Sequence, residues 1–570
     1  MRTVAVGAVD EAAPAQDSPA EALVGTVTPI AIDDDSTIGE TFLRAARRFT
    51  DRPFLVVPAN GSRDYHPDGL ELDYATAAAQ VEALARRYTD AGYGHGHRVA
   101  LFLENRPEHF LHKLALNSIG ACCVPVNPDH RSGELAWLLQ HARVDLVVVT
   151  AARQAQLHAA CEQGAIRVPV AVLEALAQGE VLPDSRSAPL PGRPDASTAA
   201  SVLYTSGTTG RPKGCVLSHG YELAAGAWYA TRGALSTFRI GSDRIYNPLP
   251  LFHVNASVFS FYCAMLAGNA QVQADRFHTG RWWSEIVQTR ATVVHYLGVI
   301  VPLLLGCDPG PMERAHRVRF GIGAGVEPTL HAEFERRFGF PLIEVWGMTE
   351  IVGGPFANVE PREVGTRAFG KARPGLQVRI VDDDDRDVPD GTPGEMLVRH
   401  SAETPRKRFF SGYLDDPEAT EQAWRGGWFH TGDVVTRAPD GTLRFVERKK
   451  NIIRRSGENI AAAEVEALLQ SHPCTHQVAV VAVPDEVREE EVLACIVLAE
   501  GEGDARTARE LFDFCHARLA YYKAPGWILF VDGLPTTGTQ KIQKHRIFEP
   551  GVDPRSIAGI FDLRAFKKRD

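Results

Sequence analysis

The chain has 570 residues, too many for one hydrophobic core, so at least two domains are expected. A 44% apolar and 23% charged composition is that of an ordinary folded protein, and a net charge of −10 argues against a nucleic-acid partner, because phosphate backbones are held by clustered cations. Nine cysteines without a Cys-x-x-Cys pair or a Cys/His spacing for zinc suggest reduced thiols in a cytoplasmic protein, with no disulfide framework.

Residues 1–36 are rich in Ala, Pro and acid and lack a sustained apolar run, so they read as a flexible extension and not as a secretory signal. From 37 to 449, helical patterns such as Ala77–Ala91 alternate with short apolar runs: Val99–Leu103, Leu146–Val149, Ser201–Thr205 and Leu342–Trp346. Such alternation predicts an α/β domain of layered sheets with strands buried on both faces. Ligand loops in these sheets sit at the C-terminal ends of strands. Three loops fit that position: the one after Tyr204, the Gly321–Gly325 turn after the run Val318–Phe320, and Gly347–Glu350 after Trp346. A single shared cleft is therefore expected. The longest apolar stretch, Tyr296 to Gly306, contains Pro302 and falls well short of a membrane span. Residues 450–570 read as a small α+β unit, with a helix over Ala461–Leu469, strands over Gln477–Val483 and Val492–Leu498, a helix over Thr507–Leu519 and a closing strand at Trp527–Val531.

The most informative stretch is Tyr204-Thr-Ser-Gly-Thr-Thr-Gly-Arg-Pro-Lys-Gly214. Gly207 and Gly210 let successive N–H groups face one anion. Thr205, Ser206, Thr208 and Thr209 add hydroxyl donors, and Lys213 adds a mobile cation. This chemistry suits a polyphosphate, although a short Gly/Ser/Thr cluster by itself also suits a surface loop. It is not the Walker pattern, since Pro212 precedes the lysine and Gly214 follows it. Two further carboxylates stand out. Glu350, in Trp346-Gly347-Met348-Thr349-Glu350, suits a magnesium ligand beside phosphates, and also the first turn of a helix. Asp433, in Trp428-Phe-His-Thr-Gly-Asp433, suits a pair of hydroxyls, and also a turn.

Taken in order, these stretches resemble the signatures of the acyl-adenylate-forming superfamily over about residues 37–550, and within it the crotonobetaine/carnitine and medium-chain acyl-CoA ligases. The resemblance implies a large N-terminal adenylation domain and a small mobile C-terminal domain hinged at Lys450. It implies ATP, Mg²⁺ and coenzyme A as co-substrates and cofactor, with Glu350 as the metal ligand. The loop 205–213 would then carry the phosphates, Gly323-Ala324-Gly325 and Trp346-Gly347-Met348-Thr349 would flank adenine, and Asp433 with Arg448 would hold the ribose. Trp346 stands where the family usually has tyrosine. Lys541 matches the catalytic lysine of the first half-reaction, and Arg455-Ser456-Gly457-Glu458-Asn459 matches the loop that enters the site for the second. Arg454 and Arg455 also suit a solvated linker. His253, beside the reacting carboxylate, would gate an acyl pocket walled by Val254, Asn255, Phe259, Tyr296, Val299, Gly325, Gly353 and Gly354. These walls offer no obvious cation for a charged tail, so an apolar acid is expected. Gln540 replaces the glycine usual before the lysine and puts the first half-reaction in doubt. A ligase specialised for thioester formation from acyl-adenylate made by a companion enzyme, transfer to a carrier protein, and a nucleotide-binding pseudoenzyme are the alternatives. A homodimer follows from family analogy only.

Overall fold

Among the described residues, two seven-stranded sheets, a five-stranded sheet and a six-stranded sheet carry the fold. The computed structural model describes residues 28–205, 212–455, 458–519, 521–536, 542–549 and 551–567. The first large sheet runs from Leu342–Glu344 through Phe320–Gly323, Val293–His295, Arg244–Asn247, Ala270–Gln273 and Pro53–Val57 to Leu70–Asp73, and only its last pair is antiparallel. The second runs from Gly412–Tyr413 through Lys213–Ser218, Ala199–Thr205, Cys122–Pro125, Arg98–Phe102 and Leu146–Val149 to Val170–Val172. Its central strands are parallel and buried, as unbroken Val/Leu/Ala runs require of a sheet covered on both faces.

One apolar cluster joins residues of both large sheets through the helices between them. Phe110, on helix Pro107–Ser118, stacks on Phe261 of helix Phe261–Ala267 with centroids 4.2 Å apart. A buried charge is set inside this apolar layer. Lys113 Nζ donates to Glu222 Oε1 at 2.9 Å and to Ser201 Oγ, and both charged side chains are fully buried. The contact ties helix Pro107–Ser118 and helix His219–Ala230 to strand Ala199–Thr205, the strand that feeds the glycine-rich loop. Removing one partner of such a pair would strand the other charge.

The five-stranded sheet, Ala368–Gly370, Leu443–Arg448, Phe429–Arg437, Gly394–Arg399 and Gln377–Val381, sets Asp433 opposite Arg448 in register. Beyond it, strands Glu458–Ala461, Ile452–Arg455, Glu489–Leu498, Trp527–Phe530 and Ile560–Asp562 form the last sheet, with Thr475–Asp485 pairing onto Glu489–Leu498. Helices Ala462–Gln470 and Ala505–His516 pack on it around a separate core. At the joint, Glu447 accepts from the N–H groups of Arg448 and Ala463, both at 2.7 Å, and Lys449 Nζ pairs with Glu395 at 2.8 Å and Asp383 at 3.1 Å. Among the described residues, no helix is long and apolar enough to cross a membrane.

Three sequence expectations change in detail. The Gly321–Gly325 segment is not all turn, because Phe320–Gly323 is strand. The Tyr296 ring lies against Gly321 and Gly323, so glycine is what lets a strand pass there. Within the expected extension 1–36, Ile30 is buried and donates its N–H to Leu266 O at 2.8 Å. Finally, Ile560–Asp562 adds a strand after Trp527–Phe530, where the pattern predicted the unit to close.

Candidate active site

Of the three expected loops, the one after Tyr204 lies largely outside the described residues, whereas its flanking strand, which carries Lys213, and the Trp346–Glu350 loop come together around Tyr413. Glu350 is buried, and burial pushes its carboxyl above the usual range, opposed by hydrogen bonds that include one from Tyr413. Its Oε1 accepts from the Tyr413 hydroxyl at 3.0 Å and from Cys215 Sγ at 3.7 Å. Burial and the neighbouring Glu350 keep the Tyr413 hydroxyl protonated and donating. Lys213 Nζ lies 4.7 Å from the centre of the same Tyr413 ring. Tyr413 thus joins the lysine of the glycine-rich loop to the carboxylate of the Trp346–Glu350 loop. It is held there because Gly412–Tyr413 pairs with Lys213–Ser218. Thr349 is anchored through its carbonyl, which accepts from Tyr221 OH at 2.8 Å.

Asp433 reaches the same loop from the five-stranded sheet. It is 1% exposed, its Oδ1 is 2.9 Å from Arg448 Nε, and its Oδ2 accepts from the indole N–H of Trp346 at 2.8 Å. The tryptophan in the usual tyrosine position therefore orients the aspartate. The turn Ala324–Gly325 is fixed by Glu344, which accepts from Gly325 N at 3.0 Å, Val326 N at 3.4 Å and the Tyr296 hydroxyl at 2.7 Å. Burial raises the carboxyl of Glu344 as well. A Cβ on Gly298 would fall on the carbonyl oxygen of Gly325, so the strand-end loop holding Val299 can approach that turn only with glycine there.

The side expected to hold the acyl group is aromatic. His253 precedes a π-helical turn, Asn255–Ser260, and its carbonyl accepts from Ser257 Oγ at 2.8 Å. Such turns recur at functional sites. Asn255 accepts from Asn247 Nδ2 at 2.9 Å, which pins the start of the turn, and Val254 packs half-buried on the core. Phe259 is buried, stacked on Tyr229 at 5.4 Å and edge-on to Trp228 at 5.5 Å. Its ring also lies 4.0 Å from where a Cβ on Gly347 would stand, which sets Phe259 against the Trp346–Glu350 loop. Gly353 lies on the segment following Glu350 and faces open space, whereas a Cβ on Gly354 would meet the Trp346 carbonyl. Met348 packs half-buried on the core.

Ser206, Gly207, Thr208, Thr209, Gly210, Ser456, Gly457 and Lys541 lie outside the described residues, and Lys450, Glu458 and Asn459 are described through their backbone alone. Glu458 and Asn459 pair with Arg455 and Arg454 in a β-ladder. Arg455 is buried, with its Nε 2.8 Å from Glu491, which also pairs with Lys567 at 2.5 Å. In this arrangement Arg455 belongs to the core of the small domain. Sequence reasoning missed Tyr413, Glu344, Tyr221, Trp228 and Tyr229. The aromatic run Phe409, Phe410, Tyr413 was a visible signal for the first, and the others sit in ordinary helix and strand patterns.

A buried carboxylate contacted by hydroxyl and thiol donors, without a cation paired to it among the described residues, fits a divalent cation at Glu350. No cluster of three metal-ligating side chains occurs among the described residues.

Residues 42–414 match the family described as AMP-binding enzyme, and residues 464–541 match its C-terminal domain. The crotonobetaine/carnitine–CoA ligase of Citrobacter koseri is 31% identical over 497 residues, covering 84% of this chain and 93% of that protein. Among solved structures, o-succinylbenzoate coenzyme A synthetase from Bacillus subtilis in complex with AMP superposes with a TM-score of 0.76 at 22% identity, over 90% of this chain and 98% of that one. An anthranilate CoA ligase in complex with anthranoyl-AMP gives 0.76 at 20% identity, over 90% and 97%.

Proposed function

The chain belongs to the AMP-binding enzyme family, as an AMP-forming acid–thiol ligase, and on that premise we propose that it activates a carboxylic acid with an apolar body as its acyl-adenylate and passes the acyl group to coenzyme A. The observation that carries this reading is the convergence at one loop. Trp346 holds Asp433 while Glu350, four residues on, is joined through Tyr413 to Lys213. Asp433 and Arg448 would then grip the ribose hydroxyls, Lys213 the phosphates, and Phe259 with Trp228 and Tyr229 the acyl body. Mg²⁺ at Glu350 would supply charge neutralisation at the phosphate oxygens.

In the first half-reaction a carboxylate oxygen of the acid bonds to the α-phosphorus and the bond from that phosphorus to pyrophosphate breaks, with the two oxygens in line. Lys541 stabilises the charge that develops. In the second, the small domain turns about Lys450 and the thiol sulfur attacks the acyl carbon, so that AMP leaves with the C–O electron pair. The reading puts the reaction in the cytoplasm, where nine cysteines that form no disulfide are at home. A thioester-release screen over diverse carboxylic acids, with AMP and pyrophosphate measured together, tests it. Absence of acid-dependent AMP from every acid would refute it.

Gln540, before the lysine, is the one observation behind a narrower reading in which thioester formation outruns adenylation. Pyrophosphate exchange compared with turnover of synthetic acyl-adenylate separates the two.

A further inference from the structure

A cavity of about 180 Å³ opens beside the aromatic acyl wall, lined by Trp228, Thr231, Arg232, Gly353, Arg373 and Arg408 among others. It begins where the acyl site ends, since Trp228 is edge-on to Phe259 and Gly353 follows the Glu350 loop. Three arginines converge on it, and among the described residues none is within ion-pair distance of a carboxylate. Asp34, which feels the charge of Arg408, is already paired with Lys407 at 2.7 Å.

Helix capping explains part of this charge. Arg373 donates to the Arg232 carbonyl at 2.8 Å and to Asn358 Oδ1 at 3.0 Å, and Arg232 Nε donates to the Trp228 carbonyl at 2.7 Å. Capping leaves the two terminal nitrogens of Arg232, and the whole guanidinium of Arg408, without a hydrogen bond among the described residues. Burial and the nearby Arg373 push Arg232 down to about 10, and its guanidinium lies over the Trp228 and Phe356 rings at 5.5 and 5.8 Å. The buried indole N–H of Trp228, on the same wall, also has no acceptor among the described residues. Arg232 and the exposed Arg408 thus present donors and positive charge to one cavity, with no anion paired to them among the described residues.

We propose that this cavity holds an anionic group at the distal end of the acyl substrate, so that the acid carries a second acidic group remote from the carboxylate that is activated. The inference rests on the ligase reading above and narrows its substrate class. An apolar middle would lie along Trp228 and Phe259, and the anionic tip would meet Arg232 and Arg408.

The test uses the full-length protein and homologous series of linear and aryl monocarboxylic acids. Each acid is compared with its counterpart bearing a distal carboxylate and with one bearing a distal trimethylammonium group. For at least one skeleton, kcat/KM for the dicarboxylic acid should exceed that of the monocarboxylic acid by about tenfold or more, with the trimethylammonium analogue worst. R408Q and R232Q should bring that ratio toward unity mainly through KM, and R408K should keep most of it. The Arg408 guanidinium bonds nothing within the described chain, so R408Q spares the fold if R232Q does not. A ratio at or below unity for every pair, or one that both Gln variants leave unchanged, overturns the proposal. So does R408Q raising KM for coenzyme A while the ratio stays, since that assigns the cavity to a coenzyme A phosphate. AMP formation that persists without a diacid preference sinks this inference and leaves the ligase reading standing, whereas no AMP from any acid removes both.

Discussion

Replacing Trp346 by Phe removes one hydrogen bond and keeps most of the ring. The lost bond is the 2.8 Å contact from the indole N–H to Oδ2 of Asp433, a carboxylate only 1% exposed whose other oxygen is held by Arg448 at 2.9 Å. A hydrogen bond to a charged group contributes about 1.5–3 kcal/mol. With about 1.4 kcal/mol per tenfold, W346F should weaken AMP binding by about tenfold to about a hundredfold. The loss arises because the carboxylate proposed to grip the ribose loses the contact that fixes its orientation. Calorimetric titration of AMP measures it on folded protein, so any loss of stability from the smaller ring is separated from affinity. D433A should weaken binding as well, and the double variant should lose less than the sum of the two, because both changes act on one interaction. Unchanged AMP affinity in W346F, or losses that simply add, would refute the reasoning.

E350Q should raise the thermal midpoint of the ligand-free protein at neutral pH while abolishing acid-dependent AMP formation. Burial raises the folded carboxyl of Glu350 above its unfolded value, so the ionised form costs stability above that folded value. The gain should fade as pH falls from the raised folded value toward about 4.3 and be absent below it, where the carboxyl is protonated in both states. Lys541→Ala should sharply reduce adenylation and largely spare thioester formation from supplied acyl-adenylate, and equal loss in both assays would contradict its assignment. Lys113→Met should destabilise the N-terminal domain by about 3–5 kcal/mol by leaving Glu222 buried and unpaired. Denaturant unfolding measures that loss, and the K113M/E222L double variant should recover most of it. Gly298→Ala should shift the Ala324–Gly325 turn, because the new methyl would occupy the position of the Gly325 carbonyl, and a KM for ATP equal to wild type would contradict that.

Strands buried on both faces were the legible part of the fold. Leu146–Val149 is the run read from its four apolar residues, and helix Tyr74–Asp90 contains all but the last residue of the pattern Ala77–Ala91. Glycine blurred the reading at Phe320–Gly323, where a packed Tyr296 ring, invisible in the local pattern, makes glycine a strand residue. In the site, Asp433, Arg448, Glu350 and Lys213 announced themselves by type and order. Tyr413, which joins two of them, did not, because its meaning depends on the pairing of Gly412–Tyr413 with a strand some 200 residues earlier. Arg232, Arg373 and Arg408 were hidden for the same reason. The walls expected of the acyl pocket are apolar or small, and the cations come from three distant segments that only the tertiary fold assembles. Arg455 shows the converse. A basic pair in a linker looks solvated or ligand-bound, yet Glu491 draws Arg455 into the small domain's core.

Oxygen tracing tests most directly whether these segments surround a mixed anhydride of acid and AMP. An acid found to be turned over is labelled with ¹⁸O in its carboxylate, and the nucleotide product is read by mass spectrometry. Transfer of a single labelled oxygen into the phosphate of AMP is the predicted result, because the bond formed at phosphorus in the first step stays with AMP when the thiol displaces it. Unlabelled AMP, or label recovered in inorganic phosphate beside ADP, would contradict the account.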